Sequence, residues 1–80
     1  MYYTYIIFCK SLNQYYTGQT NDLKRRVIEH NSGKTPHTRK GDSWVLVFDK
    51  AFESRSEAME LEMKIKKRGA RRFLNDHVAG

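Results

Sequence analysis

Short blocks of apolar residues divide the first part of the chain into two strands and a turn. Residues 3–9 carry aromatic and β-branched side chains on both faces, which is typical of a central strand covered from both sides. Residues 10–13 supply a turn, and residues 14–19 predict a second strand that closes a hairpin with the first. Gly18, near the end of that strand, indicates a bulge or a close backbone approach.

A helix and a polar loop are predicted to follow the hairpin. The helix should begin at Asp22, with Thr20 or Asn21 as its cap, and run to residue 31 or 32. Gly33 can adopt the left-handed conformation that ends it. Residues 34–43 then form a loop that holds the only proline and several basic side chains, including His37 if that side chain is protonated.

The remaining pattern predicts one more strand and two helices. The strand covers residues 44–48 and could extend to residue 52. Ser54 and Glu57 have the spacing of a capping box, in which hydroxyl and carboxylate satisfy each other's backbone donors, and a helix runs from residue 57 to about 67. Gly69 breaks it, and residues 70–77 form a shorter helix. The order β-β-α-β-α-α predicts an α/β (α+β) fold, one domain over residues 1–80, around a largely antiparallel sheet.

Composition narrows the classes of partner. The chain has 15 Lys and Arg against 9 Asp and Glu in 80 residues, a formal charge of +6, which favours nucleic acid over a membrane surface. A basic protein with no such partner remains the alternative. Cys9 is the only cysteine, so it excludes an internal disulfide and suits a reducing cytoplasm. The apolar run at residues 2–9 is too short to span a bilayer and makes a poor signal peptide.

Three features do not fit a plain core. Ala58, Leu61 and Ile65 mark the apolar stripe of the second helix, which Met59 and Met63 continue. Glu62 lies on this stripe, so it must be paired, protonated or bound to a cation; the alternative is a stripe-edge glutamate that reaches solvent or pairs with Lys or Arg. Leu23 and Val27 define the inward face of the first helix, and Arg26 and His30 form an i, i+4 pair beside it, at the margin between core and solvent where a cleft could form, or on a solvated face. Tyr5 and Tyr16 are either ordinary strand aromatics or hydroxyls that point at one shared spot.

The motifs resemble those of the GIY-YIG superfamily. Residues 4–6 (Thr-Tyr-Ile) and 16–18 (Tyr-Thr-Gly) resemble its paired signature, although threonine replaces the first glycine and the isoleucine of the second half. Residues 20–30 resemble the family's first helix, and residues 56–62 resemble the helix that carries its catalytic glutamate. The chain looks similar to small stand-alone bacterial members, and this resemblance implies a three-stranded antiparallel sheet with the first strand in the middle.

The same resemblance implies phosphodiester hydrolysis assisted by one divalent ion, Mg2+ or Mn2+. Glu62 would hold the metal, and Arg26 would neutralise charge on the phosphate. Tyr5 or His30 would assist deprotonation of the attacking water, and Tyr16 would position the phosphate or the water. A hard cation that keeps most of its waters can be bound through a single carboxylate, which agrees with this assignment.

Three functions remain open at this point: a metal-dependent endonuclease of low specificity, a nucleic-acid-binding module that keeps the fold, and a protein-interaction adaptor. The first is favoured, with DNA preferred to RNA as substrate and with an unknown protein partner as one source of specificity. The residues predicted to contact nucleic acid lie around the first helix, in the loop and near the last helix break. They are Gly18, Arg26, Lys34, Arg39, Lys40, Lys67, Arg68, Arg71 and Arg72.

Overall fold

The computed structural model describes residues 1–36, 38–41 and 43–79 of the chain. Its elements are β1 (Tyr2–Cys9), β2 (Gln14–Thr20), α1 (Leu23–Asn31), β3 (Trp44–Phe52), α2 (Arg55–Arg68) and α3 (Ala70–Ala79). The predicted order and the α+β class are confirmed, and β3 has the longer of its two predicted lengths. The expected basic contribution of His37 lies outside the described residues.

The sheet is antiparallel with strand order β2-β1-β3, so the first strand lies in the middle as predicted. In the β1–β2 ladder Tyr5 lies opposite Gly18, and the register is regular there, so the bulge considered for Gly18 is absent from that pair. The irregularity lies instead between β1 and β3. Ile6 pairs with Phe48 and Ile7 with Leu46, which leaves Val47 as the extra residue on β3.

Both faces of β1 are covered. On one face the buried side chains of Tyr5, Ile7, Cys9 and Trp44 form a cluster against which α1 packs. The partly buried side chains that join this cluster are Leu12, Tyr16, Leu23 and Val27, which confirms the predicted inward face of α1. Helix α2 covers the other side of the sheet through fully buried apolar residues.

The apolar surface predicted along α2 is only partly buried. Ala58 and Ile65 are fully buried and Leu61 is half-buried, as their spacing indicates. Met59 and Met63 were expected to continue this surface, but their exposed fractions are 44% and 68%. They project from the opposite side of the helix because α2 packs on a single sheet face.

The helix ends follow the predicted chemistry with two differences. Asp22, and not Thr20 or Asn21, caps α1, since its carboxylate accepts from the backbone N–H of Arg25 at 3.1 Å. Ser54 caps α2 and accepts from the N–H of Glu57 at 3.3 Å. The Glu57 carboxylate, however, accepts from the Ser54 hydroxyl at 2.9 Å, whereas a capping box predicts that it accepts from the Ser54 backbone N–H. The closing glycines behave as predicted, with φ of +79° at Gly33 and +94° at Gly69.

The loop between α1 and β3 is anchored from inside the protein. Thr35 and Thr38 are both buried, and the indole N–H of Trp44 donates to the carbonyl of Thr38 at 2.9 Å. A Cβ at Gly41 would lie 2.3 Å from the Trp44 indole nitrogen, so only glycine allows this approach. The side-chain amide of Asn31 also pairs with both backbone groups of Trp44. Although the loop is polar in composition, its inner side therefore packs closely against the protein.

Candidate functional site

The centre of the site is the phenol of Tyr5, which lies directly over the backbone of Gly18. A Cβ built at position 18 would lie 2.6 Å from the Tyr5 oxygen and 2.8 Å from the ring carbon that carries it. Any side chain there would therefore displace the phenol. The sequence predicted Gly18 as a nucleic-acid contact; the structure places it buried, beneath Tyr5.

Tyr5, His30 and Thr38 form a buried chain of hydrogen bonds. The Tyr5 hydroxyl lies 2.8 Å from Nε2 of His30, and Nδ1 of His30 lies 2.9 Å from the Thr38 hydroxyl. His30 is completely buried, so the prediction that it lies at the margin between core and solvent is wrong. The loop after α1 closes over this part of the helix. The Tyr16 ring packs beside both, with centroids 4.8 Å from His30 and 6.5 Å from Tyr5.

Arg26 lies between this chain and solvent. Its side chain is 31% exposed, and Nη1 donates to the Glu29 carboxylate at 3.0 Å. Its guanidinium also interacts with the Tyr5 hydroxyl, and this interaction lowers the pKa of Tyr5 and raises the pKa of Arg26. Burial lowers the pKa of Arg26, but the hydrogen bonds to Glu29 and Tyr5 outweigh this effect and raise it above its ordinary value. A permanent cation therefore faces the phenol.

The buried tyrosine and histidine are both neutral at pH 7. Burial raises the pKa of Tyr5 to about 12, although the hydrogen bond from Arg26 opposes the rise. Burial and the positive charge of Arg26 lower the pKa of His30 to about 4, against the opposing charge of Glu29. The pair therefore consists of a phenol that keeps its proton and a neutral imidazole with one N–H donor and one acceptor nitrogen.

Glu62 contributes a second carboxylate, besides Glu29, that acts on this arrangement. Its charge helps to raise the pKa of Tyr5. Its side chain is 18% exposed, and a carboxylate oxygen lies 2.9 Å from Nζ of Lys66, one turn along α2. Of the alternatives left open by the sequence, pairing with a lysine is the one observed. Because Lys66 is 57% exposed, it can leave the carboxylate without disturbing the core.

Residues 1–77 match the family model of the GIY-YIG catalytic domain. The chain belongs to the GIY-YIG family. The family is a nuclease family, generally metal-dependent, and its domain suggests nucleic-acid binding.

Small UPF0213 proteins are among the relatives of this GIY-YIG chain. One from Halobacterium salinarum is 43% identical over 67 residues, which span 82% of this chain and 86% of the relative. One from Staphylococcus haemolyticus is 42% identical over 66 residues, 81% of this chain and 79% of the relative. The solution NMR structure of a UPF0213 protein from Bacillus halodurans matches with a TM-score of 0.58 at 40% identity, covering 99% of this chain and 84% of that one.

The two threonines in the GIY-YIG signature are both buried. Thr4 donates its hydroxyl to the carbonyl of Ala58 at 2.6 Å and so ties β1 to α2. Thr17 is 7% exposed and lies opposite Ile6 in the hairpin. The bond of Thr4 therefore joins the strand that carries Tyr5 to the helix that carries Glu62.

The donor set fits a metal held by one carboxylate and water. Among the described residues, no three His, Cys, Asp or Glu side chains come together as a metal site. A cage of protein ligands, such as Zn2+ or Ca2+ prefers, is thus not available in that part of the chain. A single, partly exposed carboxylate such as Glu62 suits Mg2+, which dehydrates reluctantly and keeps several waters.

The predicted basic contacts lie on the exposed surface, and some are engaged within the protein. Arg68 donates twice to the Asp76 carboxylate, at 2.8 and 3.1 Å. Arg71 donates to the side-chain oxygen of Asn13 at 3.1 Å and lies 5.1 Å above the ring of Tyr15. The remaining predicted residues are exposed, namely Lys34, Arg39, Lys40, Lys67 and Arg72. No helix within the described ranges is long and apolar enough to cross a membrane.

Two residues of the site were not found from the sequence. Glu29 lies three residues after Arg26 on α1, so helix spacing alone could have identified this ion pair. Thr38 gave no such signal, because a loop has no periodicity that would place it against a helix eight residues away.

Proposed function

We propose that this chain is an endonuclease of the GIY-YIG type. It hydrolyses phosphodiester bonds in nucleic acid, DNA in preference to RNA, with low intrinsic specificity and with one Mg2+ or Mn2+ ion. The proposal is supported above all by one observation: the Tyr5 hydroxyl is held between His30 and Arg26, within electrostatic reach of the carboxylate of Glu62.

Arg26 supplies the charge that the reaction requires. Attack on a phosphodiester concentrates negative charge on the phosphate oxygens, and a preorganised cation stabilises that state more than the ground state. The planar guanidinium can contact two of these oxygens. Its bond to Glu29 fixes the orientation of the group in advance, which reduces the entropy lost on binding.

Tyr5 and His30 together accept the proton of the attacking water. As the water oxygen bonds to phosphorus, its proton moves to the Tyr5 oxygen, and the phenolic proton moves to Nε2 of His30, 2.8 Å away. The leaving oxygen takes a proton from solvent. With a pKa of about 4, His30 is a weak acceptor in the free protein. A bound phosphate partly cancels the Arg26 charge and so raises that pKa.

Glu62 is the residue that would hold the divalent ion. In the free protein Lys66 balances the Glu62 charge, and a dication would replace it. When bound, such an ion would supply Lewis-acid polarisation of the phosphate. Tyr16 shields the buried pair, since its ring packs on His30, and we assign to its hydroxyl the orientation of the phosphate or the water.

The test is a cleavage assay with labelled linear DNA, branched DNA and RNA of matched length. Each is incubated with the protein in Mg2+, in Mn2+ and in EDTA. We expect metal-dependent cleavage that the Glu62→Ala variant lacks and that is faster on DNA. Binding of the substrates without cleavage by the wild type would instead identify a nucleic-acid-binding module that keeps the fold.

A further inference from the structure

We infer that Thr38 is a positioning residue of this site. By accepting a hydrogen bond from Nδ1 of His30, it holds His30 in the tautomer whose Nε2 is ready to take the Tyr5 proton. Only the catalytic consequence rests on the proposed function, because the tautomer is a property of the protein without substrate.

The hydroxyl proton of Tyr5 has its acceptor inside the protein. Its side chain is 1% exposed, so its hydroxyl hydrogen needs a partner inside the protein. Within the described ranges, Nε2 of His30 lies 2.8 Å from this oxygen, and the guanidinium of Arg26 also interacts with it. A guanidinium has five donors and no acceptor, so Arg26 can only donate to it. Nε2 of His30 is therefore the acceptor of the Tyr5 proton.

The second step follows the ring of His30. A neutral imidazole has one N–H and one lone pair, so a lone pair at Nε2 places the hydrogen on Nδ1. The Thr38 oxygen, 2.9 Å from Nδ1, must then accept. The Thr38 hydroxyl hydrogen is directed to the carbonyl of Thr35 at 3.4 Å. All donors thus point one way, from Tyr5 through His30 and Thr38 to a backbone carbonyl.

The third step is that Thr38 is held firmly in the loop. Its side chain is fully buried, and its N–H donates to the Thr35 carbonyl at 3.1 Å. Its own carbonyl accepts from the Trp44 indole at 2.9 Å and from the N–H of Gly41 at 3.1 Å. Because the N–H and the carbonyl of Thr38 are both hydrogen-bonded, its hydroxyl contacts His30 without any further ordering of the Thr38 backbone.

The direct test is NMR of the imidazole nitrogens in protein labelled with 15N-histidine at pH 7. Two-bond correlations distinguish a protonated Nδ1 from a protonated Nε2, and His37→Gln and His77→Gln samples isolate the His30 signals. We expect Nδ1–H in the wild type and in Thr38→Ser. In Thr38→Val a hydrogen on Nδ1 would be buried without an acceptor, so we expect the fraction of the Nε2–H tautomer to rise. An Nε2–H tautomer in the wild type overturns the inference even if no variant folds, and so does an unchanged tautomer in folded Thr38→Val.

A second readout separates this inference from the proposed function. If the wild type cleaves nucleic acid, Thr38→Val should lose at least about tenfold in kcat with little change in KM, and Thr38→Ser should restore it. Wild-type rates in Thr38→Val would overturn the positioning role. Absence of cleavage by the wild type would contradict the proposed function alone, and the tautomer would then decide the inference.

Discussion

At the scale of single residues, the site depends on a missing side chain as much as on the groups that are present. Gly18 leaves room for Tyr5, and burial sets the protonation of Tyr5 and His30. The sequence indicated a close approach at Gly18 but not the group that makes it, because strand register must be known before a cross-strand neighbour can be named.

Gly18→Ala should force the phenol of Tyr5 out of its place. The added methyl would lie 2.6 Å from the Tyr5 oxygen, so we expect a loss of about 1–3 kcal/mol in the free energy of unfolding, typical of overpacking. The measurement is urea unfolding of a double-mutant cycle. In a Tyr5→Ala background the same change should cost much less, and additive losses would contradict the contact.

His30 should make stability depend on pH in the acidic range. Its pKa is 6.5 when unfolded and about 4 when folded, so between these values the unfolded state binds more protons. The free energy of unfolding should therefore fall as the pH drops from about 6.5 to 4, by roughly 3 kcal/mol in total. Urea melts of the wild type and His30→Asn check this. The exposed His77, replaced by Gln, is the matched control and should retain the full pH dependence.

At the scale of elements, α1 places two functional groups one turn apart. Its inward face at Leu23 and Val27 was predicted correctly from spacing, and with it the neighbouring positions of Arg26 and His30. The burial of His30 was not predicted, because it is produced by the loop that carries Thr38 and not by the helix itself. Local periodicity thus predicts which residues share a face of the helix, whereas the burial of each side chain depends on what covers that face.

Arg26→Ala should lower the cleavage rate by about 100-fold or more, since one electrostatic partner of the transition state is lost. Binding of nucleic acid should change far less. Arg25 is the matched control: it is exposed, lies about 100° away on α1 and bonds only to Asn21 among the contacts seen for its side chain. Single-turnover rates and dissociation constants of both variants provide the measurement, and equal losses at the two positions would contradict the assignment.

At the scale of the whole molecule, the formal charge is +6, and the basic side chains predicted to contact nucleic acid are exposed, except for the half-buried Arg26. Sequence composition predicted this charge, but it did not predict which cations are already engaged. Arg68 is held by Asp76, and Arg71 by Asn13 and Tyr15. These partners become visible only when α3 is placed beside α2 and beside the hairpin turn.

Replacing Lys67, Arg68, Arg71 and Arg72 by glutamine should weaken binding to duplex DNA of any sequence. The logarithm of the affinity should fall with the logarithm of salt concentration, with a slope of about −0.9 per phosphate contacted, and the slope should be shallower in the variant. Of the four, Arg68 should contribute least because Asp76 already neutralises it. A salt-independent affinity, or an unchanged slope in the variant, would show that nucleic acid binds elsewhere.

The central claim, that Glu62 is kept for a metal, is tested most directly by comparing Glu62→Gln with Glu60→Gln in single-turnover cleavage with Mg2+. Both residues are carboxylates on α2, but Glu60 is exposed and points away. We expect Glu62→Gln to lose at least about 100-fold in rate while its stability changes by less than about 0.5 kcal/mol, the size of its pair with Lys66. Glu60→Gln should cleave as the wild type does. Equal rates in the two variants, or a loss of about 3–5 kcal/mol in Glu62→Gln with cleavage intact, would show instead that Glu62 is a structural carboxylate.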